Sequence, residues 1–323
     1  MRFFRFFALS MALFANAGTV MAGPYPDKSR PLKIIVAQGP GSTSDLLARS
    51  LAKGVTDLTG WTAIVDYRPG AEGIVGVQAL MSAPADGYNL LLVSSSTTVL
   101  NPVLVPNLPY DPLRDFIPLV GLATNVIALN LGPSTPFKTA REFIASARAN
   151  PGKYTFGSST SSTRIAGELV EALSGVKLLN VPYKTTAAAV TALIAGEVDM
   201  VMADASSFRS QWDAGRARPL AVGSAKRSAS LPALPTLREE GVAEYELNSW
   251  YASYFPARTP PDVVAAMRDI LRQAAKSPAV AEALAKGSMD PFDVAGDEIS
   301  AVIRREIAVA QKVVRAANLS PAK

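Results

Sequence analysis

The chain has 323 residues, with 32 Lys and Arg against 27 Asp and Glu, and it contains neither Cys nor His. Without these two residue types it lacks the usual general base, the usual thiolate nucleophile and the commonest ligands of zinc. A Ser-His-Asp triad is therefore excluded, and we expect no catalysis, no metal site and no cofactor. The basic residues are scattered and aromatic residues are few, so the sequence does not predict nucleic-acid binding.

The first 22 residues have the pattern of a secretory signal peptide. Arg2 and Arg5 form a positive start, residues 6–15 are mostly apolar, and residues 20–22 suit a cleavage site. The apolar stretch is shorter than the roughly 20 residues that a membrane-spanning helix needs. An uncleaved membrane anchor is the alternative, but the pattern favours export to the periplasm.

After residue 22, short apolar runs alternate with helical patterns. The runs that we predict to be strands are 32–37, 63–66, 89–93, 126–131, 154–157, 177–181, 198–203 and 219–222. Apolar residues recur every three or four positions at 46–58, 165–173 and 190–194 and through most of the chain after 260, which predicts helices there. Several strands look buried on both faces, as in a parallel sheet, so the predicted fold class is α/β. The Pro-rich stretch 101–118 is predicted to be an extended surface loop.

The length favours two lobes over one. We assign residues 23–124 and 248–323 to the first lobe, which is therefore discontinuous, and residues 125–247 to the second. In an open α/β sheet, a ligand binds beyond the carboxyl ends of the strands, where helices begin. The turns that follow the strands are therefore the places where we expect a ligand, in a cleft between the lobes.

Two turns of the first lobe are rich in Gly, Ser and Thr. Glycine lets the backbone approach a ligand closely, and the hydroxyls and free N–H groups can donate to an anion. The alternatives are a loop that merely caps the following helix and a solvated Ser/Thr loop. The first-lobe candidates are Gln38, Gly39, Gly41, Ser42, Thr43 and Ser44, followed by Ser94, Ser95, Ser96 and Thr97.

The second lobe has a similar turn that leads into Arg164. A guanidinium can bind a carboxylate through two parallel hydrogen bonds, although Arg164 can instead extend into solvent. Tyr183 and Lys184 can close over a ligand or merely pack at the surface, and Asp204 repels a carboxylate but can hold a hydroxyl or ammonium group. The second-lobe candidates are Ser158, Ser159, Thr160, Ser161, Ser162, Arg164, Tyr183, Lys184 and Asp204. Together these donor-rich turns predict a site for a small organic carboxylate.

Segments along nearly the whole chain carry a family resemblance. They include YPDKSRPLKIIV at 25–36, PGSTSDLLARSLA at 40–52, YRPGAEGIVG at 67–76, PADGYNLLL at 84–92, LPYDPLRDF at 108–116, NPGKYTFGSS at 150–159, VPYK at 181–184, SAKRSASLPALPTLREEG at 224–241 and SWYASYFPARTP at 249–260. The chain resembles the substrate-binding proteins of tripartite tricarboxylate transporters, the Bug-type receptors. This resemblance implies a two-lobed periplasmic-binding-protein fold of the Venus-flytrap, type II-like kind. It also implies delivery of the ligand to integral-membrane transporter subunits, and we expect the protein to be a monomer.

The resemblance further implies that the two first-lobe turns and the Ser-rich turn of the second lobe surround a ligand carboxylate, partly through ordered water. Three departures bear on the ligand. The first turn usually reads PGGGTD, so Ser42 and Thr43 here replace glycines, Arg164 stands where His is common, and the acid at the end of a strand is displaced to Asp204. These departures disfavour an amino acid and favour a di- or tricarboxylate, aliphatic or aromatic, whose second carboxylate reaches Arg164. The alternative function is a periplasmic sensor that presents its closed form to a signalling partner.

Overall fold

The computed structural model describes residues 25–316, so the predicted signal peptide at residues 1–22 lies outside the described residues. The strands are β1 (Leu32–Val36), β2 (Ala63–Tyr67), β3 (Asn89–Ser94), β4 (Phe116–Leu131), β5 (Thr155–Ser158), β6 (Leu179–Pro182), β7 (Met200–Asp204), β8 (Arg218–Val222), β9 (Asn248–Pro256) and β10 (Asp290–Pro291). The α-helices are α1 (Thr43–Thr59), α2 (Ile74–Ser82), α3 (Asn101–Leu104), α4 (Ala140–Ala149), α5 (Ser161–Ser174), α6 (Thr186–Ala195), α7 (Ala205–Asp213), α8 (Pro261–Ala274), α9 (Pro278–Gly287) and α10 (Asp297–Ala316). None of these described helices is both long and apolar enough to cross a membrane.

The strands form one mixed sheet in the order β2-β1-β3-β9-β4-β7-β5-β6, with β8 and β10 also paired to β4. Strand β1 pairs in parallel with β2 and β3, and β5 pairs in parallel with β6 and β7. The prediction of parallel strands is confirmed for these two groups, which lie at the two ends of the sheet. The middle differs, because β9 runs antiparallel to β3 and β4, and β4 runs antiparallel to β7 and β8.

Strand β4 passes from one part of the sheet to the other. Its first part pairs with β9 as far as Val126, and its last part, from Ile127, pairs with β7. The predicted strand at 126–131 is only this last part. The predicted loop at 101–118 is wrong at both ends, because residues 101–104 form α3 and β4 begins at Phe116. Pro118 is tolerated in the strand because the pairing with β9 is irregular just after it.

The apolar core is divided between two parts of the molecule, which we call the first and second lobes. In the first lobe, strands β1 and β3 pack against α1 and α8 through residues such as Leu51, Leu90 and Met267. In the second lobe, Phe143 and Tyr245 belong to a separate cluster whose buried members lie between residues 127 and 245. Each group of parallel strands therefore has its own apolar core.

The ends of several helices follow local sequence signals. Helix α1 begins after Ser42 and ends at Gly60, whose φ of 69° is the left-handed conformation that glycine favours. Helix α5 ends in the same way at Gly175, just after the predicted helical pattern at 165–173. These signals place the N-terminal ends of helices directly after the strands, where the ligand was expected.

Candidate ligand-binding site

A cleft lies between the two lobes, beyond the carboxyl ends of β1, β3, β5 and β7. Its main compartment encloses about 330 Å³, counting the space that is open to solvent. A far compartment of about 220 Å³ shares Gln38, Ser94 and Thr160 with it. The main compartment is lined by Gln38, Thr43, Ser94, Ile127, Thr160, Ser162, Thr163, Thr186, Ala203, Asp204, Ser207, Ser249 and Tyr251.

Four of the described helices begin at the main compartment. Thr43 is the first residue of α1, Ser162 the second of α5, Thr186 the first of α6 and Ser207 the third of α7. The free N–H groups and the dipole at a helix N-terminus favour a negative charge. Among the described lining residues there is no Lys or Arg, and Asp204 carries the only carboxyl group. The compartment can therefore attract an anion through N–H groups and hydroxyls.

The loop between β1 and α1 is held by its own hydrogen bonds. Ser42 Oγ accepts from the Asp45 N–H at 3.2 Å and donates to the Gly39 carbonyl at 2.8 Å, so Ser42 caps α1, as the alternative interpretation predicted. Ser44 Oγ donates to Gln38 Oε1 at 2.8 Å. These bonds fix the Gln38 amide at the edge shared by the two compartments.

The two lobes contact each other along this loop. A Cβ placed on Gly39 would lie 2.9 Å from Thr185 Cγ2, so glycine is what lets the loop come this close to the start of α6. Gly41 has a φ of 80°, which also favours glycine. Thr43 Oγ1 lies 2.5 Å from Ser206 Oγ of the second lobe. The structure therefore places both predicted glycines and Thr43 at the interface between the lobes.

The Ser and Thr residues after β3 are buried and do not form a solvated turn. Ser94 ends β3, and a π-helical turn over Ser96–Leu100 then leads into α3. The residues from Ser94 to Thr97 are at most 7% exposed, so the alternative of a solvated loop is wrong. Ser96 Oγ accepts the Ser162 N–H at 3.0 Å across the cleft, and Thr97 lines the far compartment. Ser95 Oγ instead accepts an N–H of β9 at 3.4 Å.

The turn before α5 supplies a hydroxyl that has no partner within the protein. Thr160 caps α5 by accepting from the Thr163 N–H at 3.3 Å. Ser162 Oγ is buried, lines the main compartment and has no hydrogen-bond partner among the residues that the structure describes. A buried polar group without a partner costs about 1–3 kcal/mol. Ser162 is therefore the donor best placed to meet a bound ligand.

Several second-lobe candidates lie outside the lining of both compartments. Ser158 Oγ donates to Asn180 Oδ1 at 2.7 Å, and Ser159 Oγ lies 3.0 Å from Thr186 Oγ1, which does line the main compartment. Tyr183 packs against an apolar cluster on the other side of β5, and Lys184 is exposed. Tyr183 and Lys184 were expected either to close over a ligand or to pack at the surface. The structure places Tyr183 in a packing contact.

Arg164 is buried, so the alternative in which it extends into solvent is wrong. Its Nη1 lies 3.1 Å from Glu168 Oε1 on the same helix, and its Nε lies 3.5 Å from Glu72 Oε1. Because Glu72 belongs to the first lobe, the second pair crosses the cleft. Ser161 Oγ donates to the same Glu72 carboxylate and also lies 2.6 Å from Asn101 Oδ1. Arg164 is thus already opposite two carboxylates.

Glu72 stands in a strained turn of the first lobe. Ala71 has a φ of 46° and Glu72 a φ of 54°, in the left-handed region that costs a residue other than glycine about 1–3 kcal/mol. Asn101 Nδ2 holds the turn by donating to the Glu72 carbonyl at 3.0 Å. Strain of this kind persists where the surrounding structure fixes it, and it is concentrated at functional sites. The turn therefore holds Glu72 in a fixed position facing the first turn of α5.

Asp204 is half-buried at the end of β7. It accepts hydrogen bonds from Ser249 and Tyr251, which both belong to β9. Burial raises the pKa of Asp204 above its ordinary value, although these two bonds and one from Thr43 oppose the change. Burial also raises the pKa of Tyr251, and the neighbouring Asp204 adds to this. A carboxyl group with a raised pKa keeps its proton more readily, and when protonated it does not repel a carboxylate.

The sequence reasoning missed Glu72, Thr186, Ser207, Ser249 and Tyr251. A signal was available for Thr186 and Ser207, because each lies in the first turn of a helix that follows a strand. Nothing local marks the other three. Their role depends on β9 and the turn before α2 being folded against the second lobe.

The sequence was compared with known protein families and with individual proteins. The family described as the tripartite tricarboxylate transporter family receptor matches residues 47–319. BugT of Bordetella pertussis is 32% identical, over 93% of this chain and 92% of BugT. A protein encoded in the tcbD–tcbE intergenic region of a Pseudomonas species is 33% identical, over 88% of this chain and 86% of that protein.

The fold is also similar to those of solved binding proteins. The periplasmic binding protein BugD superposes with a TM-score of 0.86 at 25% identity, over 90% of this chain and 98% of BugD. Rpa4515 of R. palustris, solved with adipate, has a TM-score of 0.85 at 28% identity, over 91% of this chain and 99% of that protein.

The fold and the donor-lined cleft define a two-lobed solute-binding protein, which confirms the predicted fold class. The chain belongs to the tripartite tricarboxylate transporter receptor family, as its sequence motifs predicted. The receptors of this family are binding proteins and not enzymes, so the prediction that the chain is not an enzyme is confirmed. They are periplasmic, bind small carboxylates and work with membrane transporters.

Proposed function

We propose that this protein is a periplasmic receptor that captures a small organic carboxylate in the cleft and delivers it to the membrane subunits of a tripartite tricarboxylate-type transporter. One observation carries the proposal. Four of the described helices begin at a compartment that contains the unpartnered Ser162 hydroxyl and no Lys or Arg. Each charge-assisted hydrogen bond to a carboxylate contributes about 1.5–3 kcal/mol. Three such bonds at the upper end of this range sum to about 9 kcal/mol, close to the roughly 8.2 kcal/mol that a micromolar dissociation constant requires.

A di- or tricarboxylate is the favoured ligand. The adipate bound to Rpa4515, which is 28% identical to this chain, supports a second acidic group on the ligand. The far compartment extends the cleft towards Ser96 and Thr97, whose hydroxyls can form hydrogen bonds with the second end of such a molecule. Arg164 stands beyond it, next to Glu72.

The lobes proposed to close on the ligand are residues 23–124 with 248–323 and residues 125–247. The separate apolar cores support these boundaries, since the buried members of one cluster lie between residues 127 and 245. Strands β4 and β9 connect the two parts, so they are the proposed hinge. A ligand favours closure to the extent that it binds the closed form more tightly than the open form.

Thermal unfolding in the presence of mono-, di- and tricarboxylates, aliphatic and aromatic, tests the proposal. A cognate acid at about 100 times its dissociation constant should stabilise the protein by about 2.7 kcal/mol. Amides of the same carbon skeletons are the controls, because they keep the shape and lose the charge. The proposal fails if no acid raises the midpoint above that of its amide. Co-purification of the loaded protein with a transporter, and not with a sensor kinase, tests the delivery step.

A further inference from the structure

We propose that Glu72 takes the place of a ligand's second carboxylate at the start of α5, so that it sets the preference between monocarboxylates and dicarboxylates. This inference rests on the proposed function, because it assumes that a carboxylate binds in the main compartment. It concerns the far compartment, where Glu72 alone among the described lining residues carries a charge.

The contacts of Glu72 are those that an acidic ligand would make. Its carboxylate accepts a hydrogen bond from Ser161 Oγ and faces Arg164 Nε at 3.5 Å. Both partners lie in the first turn of α5, a helix of 14 residues whose N-terminal N–H groups and dipole favour an anion. A carboxylate from the first lobe is therefore seated among second-lobe donors, 89 residues away in the sequence from Ser161.

The charges already present at this position disfavour the binding of a second anion. Arg164 faces Glu72 on one side and Glu168, at 3.1 Å, on the other. Two carboxylates already share one guanidinium, so a third would meet repulsion at short distance. A dicarboxylate that extends into the far compartment must therefore displace the Glu72 side chain, whereas a monocarboxylate leaves it in place.

The turn that carries Glu72 is suited to such a displacement. The Glu72 side chain is 26% exposed, and Ala71 and Glu72 both have left-handed φ angles. The hydrogen bond from Asn101 Nδ2 to the Glu72 carbonyl does not involve the carboxylate, so it can hold the backbone of the turn while the side chain moves. The displacement costs the contacts with Ser161 and Arg164, and this cost falls on dicarboxylates alone.

The test measures affinities for adipate and hexanoate, and for the shorter straight-chain diacids with their matching monoacids, in the wild type and in Glu72→Gln. The substitution keeps the shape of the side chain and removes its charge. We expect the ratio of diacid to monoacid affinity to rise by at least about tenfold, with monoacid affinity nearly unchanged. The expected result is a gain in diacid affinity, and a misfolded variant would not show such a gain.

Glu168→Gln is the matched control, because it removes an equal charge beside Arg164 but does not line the cleft. We expect a much smaller change in the ratio. An equal rise in both variants, or an unchanged ratio in Glu72→Gln, overturns the inference while leaving the proposed function standing. Failure of all the acids to bind either protein contradicts both.

Discussion

Ser162 and Asp204 line the same compartment but differ in what they still lack. The buried Ser162 hydroxyl has no partner among the described residues, whereas Asp204 already accepts hydrogen bonds from two hydroxyls. The described lining therefore includes a buried donor that still lacks an acceptor, whereas its carboxylate already has donors. A ligand that brings acceptor oxygens without donors, as a carboxylate does, matches that imbalance.

Ser162→Ala should weaken the binding of every carboxylate ligand by about 1.5–3 kcal/mol, because it removes a charge-assisted hydrogen bond. Isothermal titration calorimetry with the best acid from the thermal screen measures this loss. Ser174→Ala is the control, because Ser174 lies on the same helix and its hydroxyl donates to the Val170 carbonyl, away from the cleft. Equal losses in the two variants would mean that the effect comes from α5 itself and not from a contact with the ligand.

Asp204→Asn should flatten the dependence of stability on pH. Burial raises the pKa of Asp204 above its ordinary value of 3.8, so the folded protein holds this proton more tightly than the unfolded chain does. The stability that this bound proton contributes is therefore fully present below a pH of 3.8 and is lost as the pH rises through the pKa of Asp204 in the folded protein. Urea unfolding at a series of pH values rising from the ordinary pKa of 3.8 should show a smaller loss of stability in the variant than in the wild type. Parallel curves would mean that Asp204 does not titrate in this range.

At the scale of elements, the close approach of the β1–α1 loop to α6 limits how far the lobes can close. Gly39 faces Thr185, the residue that caps α6. Neither residue is unusual for its own segment, because Gly39 is a loop glycine and Thr185 is an N-cap threonine. The distance between them depends on the relative position of the two lobes.

Gly39→Ala should therefore obstruct closure and weaken ligand binding about tenfold, in line with the 1–3 kcal/mol that overpacking typically costs. Thr185→Ser removes the methyl group that the new Cβ would meet at 2.9 Å and keeps the capping hydroxyl. The double variant should regain most of the lost affinity in calorimetry. If the second substitution restores nothing, the loss does not come from contact between these two elements.

Local signals allowed several elements to be predicted and left others out of reach. Ser42 and Gly60 mark the two ends of α1, and their effect needs only neighbouring residues, so the sequence was sufficient there. The start of β4 was missed because Pro118 normally argues against a strand interior. Irregular pairing with β9 tolerates it, and that pairing joins residues far apart in the chain.

For the whole molecule, the two lobes and the donor-rich turns were predictable because each turn follows its own strand. The residues that pair with Arg164 were not predictable from the sequence. We expected that side chain to reach a ligand or solvent, but it pairs with Glu72 across the cleft. Such a pair depends on how two separately packed lobes are placed together, and no local pattern in a single sequence records that placement.

Helix α1 has a consequence for how a membrane partner can detect a loaded receptor. Its 17 residues make it about 26 Å long, and its first residue, Thr43, touches the second lobe at Ser206. The opposite end, at Gly60, lies far from the cleft. A rigid helix works as a lever, so a small rotation at the cleft becomes a larger displacement at its outer end. If the proposed delivery takes place, a transporter subunit would recognise occupancy at the outer surface, from the spacing of the lobes, without contacting the ligand.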